Sequence, residues 1–422
     1  GAIVRTLLQI RQKVMLLAPT GRAAKVFSLG SGAPAYTIHR RIYREKAFAG
    51  VDGQFGLNDN LYTDTLFMVD EASMIANIGL GGTTFGSGCL LDDLVKFVYQ
   101  GHNDRVLLIG DKAQLPPVGE EESPALSASV MEGYGLKVYE CDLNEVLRQS
   151  QSSGILYNAT LIRQMITHDA VTGLPLIRFK GFADIVMMPG AELVESLGDS
   201  YHHVGMDETM VITRSNKRAN IYNNGIRNMV LDREEELSSG DMLMIVKNNY
   251  FWTEKEKKES GEGSAGAVPA FLANGDRAKV LRVSNYIELY GFRFATLLLQ
   301  LPDYDDYEMQ VTGMLDTLQS EAPALTHEQQ EELFRQVEED YQHFVPLKAD
   351  RMKSIRQDAY FNALQIKYAY AVTCHKAQGG QWAHVYVDQG YMTDDMLTPD
   401  YIHWLYTGFT RATGKLFLVN WP

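Results

Sequence analysis

Residues 105–119 read Arg-Val-Leu-Leu-Ile-Gly-Asp-Lys-Ala-Gln-Leu-Pro-Pro-Val-Gly. The opening run is apolar and short, which suits a strand buried on both faces better than a helix. Gly110 allows a tight exit, and Pro116 with Pro117 stiffens the loop that follows. Gln114 is then presented at the carboxyl end of the strand as a polar sensor near a phosphate. The alternative is a loop with ordinary turn chemistry.

The same grammar recurs on both sides. Upstream, Leu66-Phe-Met-Val69 ends in Asp70-Glu71, and Val14-Met-Leu-Leu-Ala18 ends in Pro19-Thr20-Gly21. Downstream, Thr209–Thr213, 368–373, 383–387 and 416–419 are further apolar runs, and a helix-like stretch spans 216–230. Such runs with helices between them predict α/β domains built on parallel sheets. Two such domains are expected, with a break near residue 150. From about Gly240 the signals change to short β pieces at 242–246, 277–283 and 294–301, a small barrel inserted in the second domain. The expected division is 1–146 for the first domain, 147–240 with 355–422 for the second, and 241–354 for the insertion. Residues 254–266, rich in Lys, Glu, Gly and Ser, read as a flexible tip. Thr326 and Gln329 form a capping-box pattern. Leu333, Phe334, Val337, Tyr341 and Phe344 then fall on one side of the following helix and read as core contacts. Residues 45–63 have room for only a small hairpin.

Composition narrows the function classes. Of 422 residues, 45% are hydrophobic and 22% charged, a globular balance that excludes a disordered or collagen-like chain. No apolar run reaches the roughly 18–20 residues of a membrane helix, and residues 1–11 lack a signal-peptide core. A soluble, cytoplasmic protein with no membrane partner is expected. Cys89, Cys141 and Cys374 are too scattered for a disulfide framework or a zinc knuckle. The net charge of −14 argues against a nucleic-acid partner, yet −11 of it lies between Asp303 and Asp340, where Arg335 is the one basic residue. The remaining 384 residues carry −3 and leave room for basic grooves.

The strand ends carry the chemistry. Open α/β sheets bind ligands at these ends. Asp70 offers a hard oxygen to Mg²⁺, and Glu71 can orient or deprotonate a water; an ordinary solvated strand end is the plainer reading. Ala18-Pro-Thr-Gly-Arg-Ala-Ala24 opens a helix whose first amides can hold phosphate oxygens, of a nucleotide or of a nucleic-acid backbone. Thr37-Ile-His39-Arg40 adds donors. Arg148 and Arg411 are either phosphate-reaching arginines or surface salt-bridge residues. Val372-Thr-Cys-His-Lys-Ala-Gln-Gly-Gly380 gathers hydroxyl, imidazole, ammonium and amide donors at one strand end.

The order of these strings resembles superfamily 1 helicases, in particular the RecD-like and TraA-like group that includes phage Dda. Motif Ia resembles residues 18–24, motif II 69–73, motif III 110–119, motif IV 147–149, motif V 372–379 and motif VI 406–412. The resemblance implies two RecA-like motor domains with an SH3-like barrel inserted in the second. It implies ATP and Mg²⁺ as cofactors, with Asp70 on the metal, Glu71 activating water, Gln114 sensing the γ-phosphate, and Arg148 and Arg411 as arginine fingers. Gly379 joins the nucleotide-binding set. Pro19, Thr20, Gly21, Arg22, Thr37 and His39 would line a single-stranded DNA track on the first domain, and Thr373, His375 and Lys376 on the second. Implied with these are 5′-to-3′ movement, a monomer, and partners in replication, repair or conjugation. A non-catalytic single-strand-binding module and an RNA-directed motor are the competing readings.

Three features depart from the family pattern. The string G-x-x-x-x-G-K-[ST] is not among these residues, and the chain reads as beginning just downstream of it. These 422 residues alone are therefore expected not to hydrolyse ATP at a useful rate. Gln381 stands where the family has Glu, and Gly408 where it often has Ala.

Overall fold

The computed structural model describes residues 1–48, 53–79, 86–143, 152–168, 173–260, 268–269 and 271–421. The expected domain break near residue 150 and the string 147–149, with Arg148, lie outside them.

In the first domain, strands β1 (Lys13–Ala18), β2 (Ala35–Thr37), β5 (Thr65–Val69) and β6 (Arg105–Leu108) form one sheet, while β3 (Tyr43–Phe48) and β4 (Gly53–Leu57) form the expected hairpin. The sheet order β2-β1-β5-β6 is parallel throughout. Its apolar runs are continuous because helices cover both faces. Leu17, Phe67 and Val69 meet Leu94, Phe97 and Val98 of the helix Leu90–Gln100 in one core.

The second domain carries β7 (Ile185–Met188) and β8 (Thr209–Thr213). The chain then leaves for β9 (Met242–Ile245), β10 (Arg277–Leu289), β11 (Phe292–Leu301), β12 (Tyr307–Met314) and β13 (Leu364–Tyr368), which close into a barrel in the order β10-β11-β12-β13-β9. It returns as β14 (Ala371–Thr373), β15 (Trp382–Asp388) and β16 (Ala412–Val419), giving a second parallel sheet in the order β14-β8-β15-β16-β7. The fold is α/β: two RecA-like parallel-sheet domains in tandem, the second interrupted by a closed barrel.

Four details differ from the sequence reading. The apolar run 368–373 is two strands: Tyr368 ends the barrel and Ala371 starts the sheet. Leu364–Tyr368, inside the 355–422 segment assigned to the motor domain, therefore closes the barrel. Residues 254–260 belong to a helix, Phe251–Ser260, rather than to a flexible tip, because Lys and Glu are good helix formers and Trp252 anchors the first turn in the core. Phe344 is 79% exposed: the helix His327–Gln342 stops before it, so it leaves the stripe that buries Leu333 and Val337 against the barrel. The capping box at Thr326 and Gln329 is formed in both directions.

The barrel and the second α/β domain share one apolar core. Leu243, Ile245, Val280 and Leu297 join Val211, Val385, Phe409 and Leu418 in it. Two first-domain residues, Ala113 and Leu115, are buried in the same cluster. The β3–β4 hairpin also reaches the barrel: Phe55 packs on Tyr250 at 4.5 Å between ring centroids, and Tyr250 stacks on Phe271.

Candidate nucleotide and nucleic-acid site

Asp70 and Glu71 stand at the carboxyl end of β5, between β1 and β6. The amide of Asp70 donates to the carbonyl of Leu17 at 3.0 Å, and that of Ala72 to Ile109 at 2.9 Å. The turn is sharp: Glu71 has φ of +52°, a left-handed conformation costing a non-glycine residue on the order of 1 kcal/mol. Asp70 Oδ1 accepts the amide of Glu71 at 2.9 Å. Burial pushes both carboxyls above their ordinary range. For Glu71 the positive charge of Arg411 opposes the rise, Asp70 and Asp111 add to it, and the Gln114 amide favours the ionised form.

Gln114 lies on the turn after β6. Its amide donates to the Asp111 carbonyl at 3.1 Å, and the amide of Ala113 donates to Asp111 Oδ1 at 3.0 Å. The side chain is buried, and its Oε1 has no partner among the described residues. A side-chain amide that faces Glu71 and keeps an unpartnered oxygen fits a site that orders a water.

Arg411 comes from the second domain, just past the helix Pro399–Phe409. Its guanidinium is buried and donates to the carbonyls of Thr407 (3.1 Å) and Gly380 (3.0 Å) and to Thr410 Oγ1 (3.1 Å). Two of its five N–H groups remain beyond those bonds. Asp70, Glu71, Gln114 and Arg411 therefore converge from three strand or helix ends and two domains. The donor set fits the metal and water side of a nucleoside triphosphate. Mg²⁺ takes few protein carboxylates and completes its shell with water and phosphate. No group of three or more His, Cys, Asp or Glu side chains fit to hold a metal occurs among the described residues.

The expected track residues fare unevenly. Thr20 caps the helix Gly21–Ser31, its Oγ1 accepting from the amide of Ala23 at 3.2 Å. Pro19 precedes it as the expected strand exit. Gly21 lies under the barrel: a Cβ there would sit 2.5 Å from Asp276 Oδ1 and 2.8 Å from the Tyr304 hydroxyl, so only glycine admits this approach. Arg22 ties three parts together. It donates to the Gln381 carbonyl at 2.7 Å, sits 3.7 Å from Asp303, and stacks over Trp382 at 4.7 Å. Burial pushes its pKa down to about 10. At position 381 it is thus the backbone carbonyl that is used. Thr37 caps its own short helix, accepting from the amide of Arg40 at 3.3 Å. His39 is driven to a pKa of about 4 by burial, so it is neutral at pH 7 and offers no cationic phosphate contact.

On the second domain, Thr373 is the residue before the turn Cys374–Ala377. Burial lowers the pKa of His375, with Asp400 opposing. Lys376 donates to Asn274 Oδ1 of the barrel, and burial with the nearby charge of Lys367 brings it to about 8. Gly379 turns at φ of +74°, with its Cβ position 3.2 Å from both Ala23 and Thr20 Oγ1. The Gly379 turn thus touches the helix start that carries Thr20, bringing the two candidate tracks together.

Sequence reasoning missed Asp276, Asp303 and Tyr304, which cover Gly21 and Arg22 from the barrel. It also missed His403, Tyr406 and Thr407 as partners of the turn that carries Gln114. The spacing of the last three with Arg411, at i, i+3, i+4 and i+8, was the available signal.

Two family models match. Residues 1–173 match an AAA domain, and 368–419 match the UvrD-like helicase C-terminal domain. Over residues 368–419 the chain is thus similar to UvrD-like helicases. A protein of Acanthamoeba polyphaga mimivirus, called uncharacterized protein R530, is 22% identical over 396 residues, 83% of this chain and 74% of its own. Among solved structures, one of two coordinating Pif1 helicases at forked double-stranded DNA shows 13% identity and a TM-score of 0.48, covering 99% of this chain and 84% of that one. Pif1 helicase from Candida albicans gives 15% and 0.41 (100% and 86% covered), and Pif1 from Bacteroides with ADP-AlF3 and single-stranded DNA gives 12% and 0.43 (100% and 92%). No described helix is long and apolar enough to cross a membrane.

Proposed function

We propose that this chain is the motor of an ATP-driven, Mg²⁺-dependent helicase or translocase on single-stranded DNA. It would move 5′ to 3′ in the RecD-like manner, act as a cytoplasmic monomer, and serve replication, repair or conjugation proteins. One observation carries the reading: the partly desolvated Glu71 carboxyl, beside Asp70, faces Gln114 from its own domain and Arg411 from the other. A base raised toward neutrality, an amide to orient water, and an arginine delivered across a domain boundary form the set that phosphoryl transfer to water requires. In this reading Asp70 holds the metal, Glu71 takes the proton of the attacking water, and Gln114 orients that water. Arg411, with Arg148 as its second, stabilises charge on the transferred group. Gly379 lines the same cleft. Pro19, Thr20, Thr373, His375 and Lys376 offer contacts to the strand. Gly21, Arg22, Thr37 and His39 shape its edge without free charge.

The test is ATP turnover of the full native protein with matched single strands of DNA and RNA. Turnover stimulated by DNA and abolished in Glu71→Gln supports a DNA motor. Stimulation by RNA alone replaces the DNA by RNA, and no turnover with either strand leaves a binding module.

A further inference from the structure

The turn that carries Gln114 belongs to the first domain by sequence but is held by the second. Asp111 Oδ2 accepts from the Tyr406 hydroxyl at 2.5 Å. The Ala113 carbonyl is 2.8 Å from His403 Nδ1, which therefore carries the proton. The Leu115 amide donates to Thr407 Oγ1 at 2.8 Å, and the Leu115 carbonyl accepts from Gln378 Nε2 at 2.8 Å. The side chains of Ala113 and Leu115 are buried in the second domain's apolar core. Residues 111, 113 and 115 are thus fixed from one side, and Gln114 is left pointing back to Glu71.

The gripping residues lie on the helix that leads into Arg411. His403, Tyr406 and Thr407 share one face of the helix Pro399–Phe409, and Arg411 follows in the turn just past its end, so one surface meets the Gln114 turn and then the cleft. Thr407 is doubly committed: its hydroxyl donates to the His403 carbonyl at 2.8 Å while accepting from Leu115, and its own carbonyl accepts from Arg411 Nε. A hydroxyl can do both; a methyl can do neither.

We infer that Thr407 and Tyr406 are positioning residues for hydrolysis: they set where Gln114 stands relative to Glu71, and tie that placement to the element that delivers Arg411. The first domain supplies the amide, and the second decides its position. Water orientation and arginine delivery therefore change together whenever the domains part. This rests on the motor reading above.

The experiment uses the same native protein and compares Thr407→Val, Thr407→Ser and Tyr406→Phe. A misplacement of about 1 Å at a reacting group costs on the order of 100-fold in rate. We expect Thr407→Val to lower DNA-stimulated kcat by roughly 10- to 100-fold, with KM for ATP within about twofold. Affinity for single-stranded DNA and the thermal midpoint should hold, Thr407→Ser should recover most of the rate, and Tyr406→Phe should fall between. Amide hydrogen exchange of a peptide spanning 111–117, without nucleotide, gives a readout independent of turnover: Thr407→Val should speed exchange at Leu115, whose amide is bonded to that hydroxyl. An unchanged kcat in Thr407→Val overturns the proposal. So does an equal loss in the Val and Ser variants accompanied by a lower thermal midpoint. If the wild-type protein turns over no ATP, the motor reading fails instead, and the exchange result still decides whether Thr407 holds the turn.

Discussion

Replacing Asp276 by Asn should stabilise the protein above neutrality and leave it unchanged in acid. Asp276 is fully buried where the barrel meets Gly21. Its Oδ2 accepts from the Ala273 amide (2.7 Å) and the Tyr304 hydroxyl (2.6 Å), while its Oδ1 has no partner among the described residues. The guanidiniums of Arg22 and Arg277 lie 3.7 Å from Asp303 instead. Burial, opposed by those two hydrogen bonds and reinforced by the charge of Asp303, raises the carboxyl from 3.8 to about 7. Between those values the folded protein holds a proton that the unfolded chain has released, so stability falls as pH rises. The slope is about 1.4 kcal/mol per pH unit, and about three units give a cost of ~4 kcal/mol at and above pH 8. Asn keeps a carbonyl for both donors and cannot ionise. Urea titrations at about pH 3, below the unfolded carboxyl's pKa, and at about pH 8 should show near-equal stabilities at the lower pH and a gain for the variant approaching ~4 kcal/mol at the higher. Parallel pH profiles for the two proteins would refute the reasoning, because they would mean that Asp276 is ionised in the fold at no cost.

Other outcomes follow from the same structure. ATP turnover should fall on the acid side with a midpoint above the ordinary glutamate value of 4.5, because Glu71 must be ionised to accept a proton and burial raises its pKa. In Arg411→Gln the residual turnover should lose activity at still higher pH, since the charge holding Glu71 down is gone; a pH–rate series on both proteins checks this. Asp241→Ala should cost about 3–5 kcal/mol by denaturant titration, leaving the buried Arg227 without its counter-ion and stripping partners from Arg233 and Tyr370. Gly379→Ala should cost about 1–2 kcal/mol from its left-handed backbone alone, and should weaken single-strand binding by displacing Thr20.

The parallel strands were readable because each is a continuous apolar run between turn residues, and burial on both faces leaves no alternation to confuse the pattern. Strand β12 was not, since Tyr307–Met314 falls in the acidic segment 303–340, whose charge masks the alternation by which Met309 and Val311 point inward. The helix at 251–260 was hidden by composition alike, because Lys and Glu serve a helix as well as a loop. Asp70, Glu71 and Gln114 were legible as strand-end groups. Which domain holds Gln114 was not, for Leu115 and Thr407 are 292 residues apart and no local pattern records the bond. Arg22 shows the converse failure. A basic residue at a helix start suggests a phosphate contact, yet here the guanidinium is spent on Gln381, Asp303 and Trp382.

Strand β13 closes the barrel and β14 begins the sheet after only two intervening residues. The change of allegiance occurs at a single peptide bond: Ala369 donates to Met242 of the barrel, and the Tyr370 carbonyl accepts from Val211 of the sheet. Only Ala369 and Tyr370 lie between the two strands, and both are bonded, so there is little slack to take up a swing. The barrel is in this respect a gear keyed to its shaft. A short junction of this kind couples the barrel to Thr373 and Lys376, three to six residues on, and lengthening it would loosen that coupling.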